Sequence, residues 1–284
     1  MTDGSATPLW CAIGASRCGA AHRRTGLPNQ DALRLPELPT ESPLILAVAD
    51  GHGSSKSFRS DRGAQLAVAT AQRVCRHLPC NPHEVMNLSA IKRWAEDHLP
   101  QEIVRCWREA VAEELATHPF TAEESAVLGA ACRDNPGCYL AYGTTLLVVV
   151  VTATFILYWQ LGDGDILTVA DNGEVRRPLP GDGQLFANET TSLCSKQPWR
   201  HVRTAFQVLA GAPPALILVT SDGYANSYRD EAGFLQVGND LLAIIRAQGL
   251  EYVAAHLETW LDEVSRQGSG DDITLGIVYR MNTV

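Results

Sequence analysis

The stretch TLLVVVVTATFILYWQL, residues 145–161, is almost wholly apolar, and it is the segment most easily mistaken for a membrane span. A spanning helix needs about 20 such residues. This run is shorter and carries Thr152, Thr154 and Gln160. It is dense in β-branched and aromatic residues, which suit strands better than helices. The Thr152-Ala153-Thr154 break in its middle predicts two buried strands joined by a tight turn. The expectation is a soluble, cytoplasmic protein built on sheets, with no membrane partner.

Working outward, residues 9–15 and 44–49 are short apolar runs that end at glycine or aspartate, the pattern of buried strands. A polar loop is expected between them, with His22-Arg23-Arg24, Pro28 and Asn29-Gln30-Asp31. Residues 57–77 read as helix, with Ala64, Leu66, Ala67, Ala71 and Val74 on the apolar side. A second helical region covers residues 90–116, with Ile103, Trp107, Ala110 and Val111 at helical spacing and Pro100 suited to a first turn. Residues 117–137 lack periodicity and are expected to connect. Strand 166–170 runs into Asp171-Asn172-Gly173, a hairpin signal. Residues 181–214 look irregular, and 216–220 is a buried strand before Ser221-Asp222-Gly223. Helices at 239–247 and 251–266 and a strand at 273–279 complete the chain. Strands group with hairpins and do not alternate with helices. That order predicts an α+β fold with mainly antiparallel sheets and helices packed outside them, in one domain over 1–284.

The chain has 284 residues, 45% of them hydrophobic, enough for a sizeable core. A net charge of −9 and a pI near 5.4 disfavour nucleic acid and anionic membrane as partners. Eight cysteines include no CxxC pair, and residues 1–8 are polar and unlike a secretory leader. Reduced, mostly buried thiols are therefore expected.

The placement of the aspartates carries the chemistry. Asp50, Asp222 and Asp271 each fall at the edge of a predicted buried strand, and Asp31 and Asp163 fall in loops between such elements. Asp50 and Asp222 are followed by glycine, which lets the backbone turn sharply and approach a ligand. A lone Asp-Gly is ordinarily a turn, and Asp171-Asn172-Gly173 and Asp182-Gly183 are read that way. Carboxylates presented from several strand ends can converge on one point. Oxygen donors without a Cys or His cluster favour magnesium or manganese over zinc.

Six segments carry a resemblance: Asn29-Gln30-Asp31; Val48-Ala49-Asp50-Gly51-His52-Gly53; Gly143-Thr144-Thr145; Leu161-Gly162-Asp163-Gly164-Asp165; Thr220-Ser221-Asp222-Gly223; and Gly270-Asp271-Asp272-Ile273-Thr274. In order and approximate spacing they are similar to the metal-dependent serine/threonine phosphatases, also called type 2C, over about residues 9–279. Each motif is weak alone, and six in order are strong. The resemblance implies a four-layer α-β-β-α sandwich and two manganese or magnesium ions, with a third, weaker one in many members. It makes Asp50 the bridging ligand, with the Gly51 carbonyl on one ion, and Asp222 and Asp271 ligands of the other. Asp31 resembles the acidic residue that meets the metal site directly or through water, and Asp163 the residue at the third ion. His52 resembles the general acid for the leaving alkoxide. Such ions activate a water, so no enzyme nucleophile is needed.

There are also departures from the family pattern. Gly26 stands where many members have a phosphate-binding arginine, which leaves Arg23 and Arg24 as candidates to bind the substrate phosphate. Gln30 stands where animal members have a metal-binding glutamate, so a water is expected there. Asp272 replaces a common asparagine. His22, residues 28–31 and residues 188–191 resemble the bacterial branch, and residues 181–214 correspond to its variable, substrate-facing flap. The implied function is hydrolysis of phosphoserine and phosphothreonine on proteins, opposing a Ser/Thr kinase in signalling. A pseudophosphatase that binds without turnover, and a hydrolase of small phosphate esters, stay open.

Overall fold

The computed structural model describes residues 9–37, 42–79, 87–129, 135–179 and 191–281. The apolar stretch folds as two strands, β4 (Leu146–Val151) and β5 (Phe155–Leu161), paired antiparallel with Leu146 opposite Leu161. Thr152 closes the turn between them: its hydroxyl accepts from the backbone N–H of Thr154 and Phe155. Every residue of both strands is buried. Leu147, Val149 and Val151 point to one face and Leu146, Val148 and Val150 to the other, each into a different core. That is why the run is continuously apolar, whereas a half-solvated strand would alternate. Each fully buried Val or Leu contributes roughly 1.5–3 kcal/mol.

Around this hairpin lie β2 (Asp31–Arg34), β3 (Leu44–Asp50) and β8 (Arg203–Val208), in the order β2-β3-β4-β5-β8. A second sheet contains β1 (Leu9–Arg17), β6 (Asp165–Val169), β7 (Val175–Arg176), β9 (Leu216–Thr220) and β10 (Ile273–Met281), in the order β1-β10-β9-β6-β7. All neighbouring strands in both sheets are antiparallel. Leu46, Val48, Val149 and Tyr158 of the first sheet pack against Ile166, Ile217, Val219 and Val278 of the second.

Helices cover the two outer faces. On the first sheet lie α2 (Ser60–Cys75) and α4 (Leu99–Thr117), through Ala67, Ala71, Ile103 and Trp107. On the second lie α7 (Glu231–Gln248) and α8 (Leu250–Gln267), through Leu241, Ile245, Val253 and Leu257. The architecture is an α+β, four-layer α-β-β-α sandwich. Among the described residues, no helix is long and apolar enough to cross a membrane. The six described cysteines are free thiols.

Several elements depart from the sequence expectation. The loop expected between the first two strands contains α1 (Ala20–Thr25) and β2. The first is a six-residue helix with no buried residue, too short to show a period, and it ends at Gly26 with φ 74°. Asp31 is thus a strand residue, paired across the sheet with Asp50. The helical region 90–116 divides into α3 (Leu88–Asp97) and α4 (Leu99–Thr117) at His98, because Pro100 has no N–H to continue the α3 hydrogen-bond ladder and suits the first turn of a new helix. The expected connector holds α5 (Ala122–Leu128), whose start is a capping box between Thr121 and Glu124. Within 181–214, residues 181–190 lie outside the described residues, but β8 is an edge strand whose half-exposed residues show no apolar alternation.

Candidate metal centre

The strands bring their ends together. Asp50 closes β3, and its neighbours hold the backbone from two sides. Its N–H donates to Thr145 Oγ1 at 3.0 Å, and its carbonyl accepts from Thr145 N at 2.8 Å and Thr144 Oγ1 at 2.9 Å. Gly51 N–H donates to the Gln30 carbonyl at 3.1 Å, and His52 N–H to the Gly143 carbonyl at 3.0 Å. Gly51 is obligatory here, since a Cβ would lie 2.6 Å from Gln30 O and 2.7 Å from Ser60 O.

Asp222 follows β9 and opens a short helix, α6 (Asp222–Ala225), with its Oδ2 accepting from Asn226 Nδ2 at 3.0 Å. A Cβ on Gly223 would sit 2.2 Å from the Asp272 carbonyl, so glycine lets this turn press against the lead-in to β10. Asp271 lies in that lead-in. Asp163 sits in the turn between β5 and β6, where Gly162 has φ 115°.

These residues line one pocket of about 240 Å³, with Asp50, Gly51, His52, Asp163, Asp222 and Asp271 on its walls together with His22, Gln30 and Asp272. Asp31 stands behind Asp50, 6% exposed, and accepts from the Ser221 and Thr274 hydroxyls at 2.7 Å each. Burial pushes its carboxyl up to about 7, against those two hydrogen bonds and with added repulsion from Asp272 and Asp222. Burial, then Asp31 and Asp222, hold Asp50 well above the usual carboxylate range. Asp222 is raised as well, by burial and by Asp163 and Asp271. His52 is lowered by burial, opposed by Asp163.

Among the described residues, no lysine or arginine lines this pocket. Like charges gathered without a cation are unfavourable, and a divalent ion removes that penalty. The donors are carboxylate and carbonyl oxygens, the set that suits magnesium or manganese. Among the described residues, no three acidic, histidine or cysteine side chains form a ready ligand cluster, so the fit lies in donor chemistry and electrostatics. Gln30 adds to it: Nε2 donates to Ser60 Oγ at 2.9 Å, while its buried Oε1 has no partner. A larger cavity of about 610 Å³ lies by α2, α3 and α4, but the Arg105 pairs with Glu102 and Glu109 already neutralise charge on its wall.

The two arginines expected near the phosphate lie elsewhere. Arg23 pairs with Asp262 of α8 at 2.8 Å, Arg24 is exposed, and neither lines the pocket. Asp272 and His22 occupy the wall in their stead. Asp272 is 4% exposed and accepts from Gly19 N and Gln30 N at 2.6 Å each, and it faces His22 Nδ1 at 3.0 Å. The sequence signal for this pair is the second aspartate before β10, a departure from the family pattern, together with His22, a point of likeness to its bacterial branch; neither carries an assigned role in the sequence reading.

The model of the protein phosphatase 2C family matches residues 18–262. The chain belongs to that family. As a member of it, the chain is a serine/threonine protein phosphatase by class. No curated protein matches it in sequence. Among solved structures, it is similar to the catalytic domain of the serine/threonine phosphatase PstP in complex with two manganese ions, at 17% identity and TM-score 0.58, covering 97% of this chain and 100% of that one. PppA, a key regulatory component of T6SS in Pseudomonas aeruginosa, is similar at 17% identity and TM-score 0.57, over 96% of this chain and 98% of that one. The phosphatase Stp1 from Staphylococcus aureus gives 14% identity and TM-score 0.53, over 96% of this chain and 95% of that one. At these identities the likeness establishes a shared fold.

Proposed function

We propose that this phosphatase 2C member hydrolyses phosphoserine and phosphothreonine esters on proteins, in cytoplasmic signalling that opposes a Ser/Thr kinase. The observation that carries the reading is the meeting of Asp50, Asp222 and Asp271, from three separate strand ends, in one pocket without a lysine or arginine among its described residues. Asp50 and the Gly51 carbonyl would hold one divalent ion, and Asp50, Asp222 and Asp271 the other. Asp31 would support them from behind, and Asp163 would help to hold a weaker third. Two such ions supply Lewis-acid charge for the phosphoryl oxygens and an acidified water. The two manganese ions in the PstP structure support manganese as one of them.

His52 donates a proton to the departing serine or threonine oxygen. Its backbone is held by Gly143, and a Cβ at residue 143 would come within 2.7 Å of its ring, so the ring position depends on that glycine. Burial disfavours the charged imidazole while Asp163 favours it, so the protonated form is the stronger acid and the less populated one, and activity should depend on pH through this group. One catalytic domain spans residues 1–284, and its variable, substrate-facing flap is the part of 181–214 that precedes β8. The flap's base is tied to the site, since Ser192 Oγ accepts from Thr144 N at 3.1 Å.

A pseudophosphatase is the second reading, favoured by Arg23 being engaged with Asp262. Manganese-dependent turnover of a phosphopeptide by the wild type, lost in Asp222→Asn, supports the enzyme. Phosphopeptide binding without turnover in either protein supports the pseudophosphatase. Turnover of p-nitrophenyl phosphate but not of phosphopeptides would point to small esters.

A further inference from the structure

The geometry points to His22 as a nitrogen ligand of the cation beside Asp271, with Asp272 as the group that orients it. This inference rests on the metal-site reading above and adds a donor to it. A carboxylate is an acceptor only, so the contact of Asp272 Oδ2 with His22 Nδ1 at 3.0 Å places the imidazole proton on Nδ1. In the tautomer this contact selects, the lone pair available to a metal is on Nε2. That atom lies 3.9 Å from Asp271 Oδ1 on the wall of the acidic pocket. The two atoms face each other beyond hydrogen-bond distance, with room for an ion between them. Two donors on one ion, each at about 2.0–2.2 Å from it, stand about 3–4 Å apart.

The ring is also held firmly. Its side chain is 16% exposed. Asp272 is fixed by Gly19 N and Gln30 N. The helix bearing His22 is anchored by Ala21 N–H donating to the Gly270 carbonyl at 2.8 Å. Gly19 permits this approach, since a Cβ would lie 2.4 Å from the Asp271 carbonyl carbon. A carboxylate that orients a histidine whose other nitrogen meets a metal is a recurrent second-shell arrangement. A nitrogen donor also shifts a site from magnesium towards manganese and other transition ions.

The test is pulsed electron paramagnetic resonance on the manganese-loaded full chain, with manganese and magnesium affinities measured by calorimetry. The wild type is expected to show a coordinated-imidazole nitrogen coupling that disappears in His22→Ala. Manganese affinity should fall by about 10–100-fold in that variant, magnesium affinity by less, and Asp272→Asn should shift both in the same direction. The wild-type spectrum needs no variant to fold. Manganese bound without a nitrogen coupling overturns the proposal and leaves the carboxylate site standing. A coupling that survives His22→Ala overturns it too, because another histidine is then the ligand. No manganese binding by the wild type overturns both this inference and the metal-site reading.

Discussion

The two ends of the sandwich treat strand-end aspartates with a nearby glycine in opposite ways. At one end, Asp50 and Asp222 sit beside strand-end glycines, and their carboxylates meet like charges: burial and neighbouring aspartates raise both. At the other end, Asp171 lies in the Asp171-Asn172-Gly173 turn after β6 and accepts from Arg246 Nη2 at 3.0 Å and from Arg280 Nη2. A strand-end aspartate followed within two residues by glycine is therefore structural where arginines reach it. Where no arginine reaches it and other carboxylates crowd it, its charge is left uncompensated. The arginines that decide this lie far along the chain, on α7 and β10.

The largest effect should come from neutralising one uncompensated carboxylate. Asp222→Asn is expected to lose phosphopeptide hydrolysis by about 10³-fold or more, several kcal/mol of transition-state stabilisation. In chelator its unfolding free energy should rise, on the order of 1 kcal/mol, because a repulsive contact is gone. A chelator melt showing Asp222→Asn less stable than wild type would break the comparison. Turn glycines should differ next. Gly223→Ala drives a Cβ into backbone at 2.2 Å and is expected to destabilise by about 3 kcal/mol. Gly173→Ala, at φ 86° against the Asn239 side chain, should lose about 1–2 kcal/mol. Urea melts of the pair would reverse that order if the site-end turn can relax.

A carboxylate with its own cation sharpens the contrast through pH. Arg59 Nη2 donates to Glu124 Oε2 at 2.7 Å, and this bond holds Glu124 below the usual carboxylate range. Because the folded value is the lower one, the contribution is complete above about pH 4.3 and disappears as pH falls through the depressed value. Glu124→Gln should thus be about 1 kcal/mol less stable than wild type at pH 7, and the gap should close as pH falls through the depressed value, by thermal melts. The smallest effect is expected from Asp171→Asn. That side chain is 51% exposed, so stability should move by less than about 1 kcal/mol, with turnover unchanged. A loss of turnover there would mean the two ends are coupled.

Much of this was legible in the chain. Residues 145–161 announce a doubly buried hairpin by being apolar at every position, and the Thr152 break marks its turn. The strand ends at Asp50, Asp222 and Asp271 were readable because buried strands stop abruptly at charged residues. Elements without a buried face, or too short to show a period, were not readable. The strand β8 is half-exposed along its length, and β2 carries only four residues. The capping box at Thr121 and Glu124 was present in the sequence, without apolar periodicity to draw attention to it.

The sequence by itself determined the long buried strands, the hairpin and the positions where those strands end at carboxylates, because burial and backbone freedom are properties of residues in order. It could not decide which charges would meet. Arg23 sits eight residues before Asp31 yet is drawn to Asp262, while Asp272 reaches back some 250 residues to hold His22. Electrostatic fate depends on distance through space, and only the packing of the two sheets sets that distance.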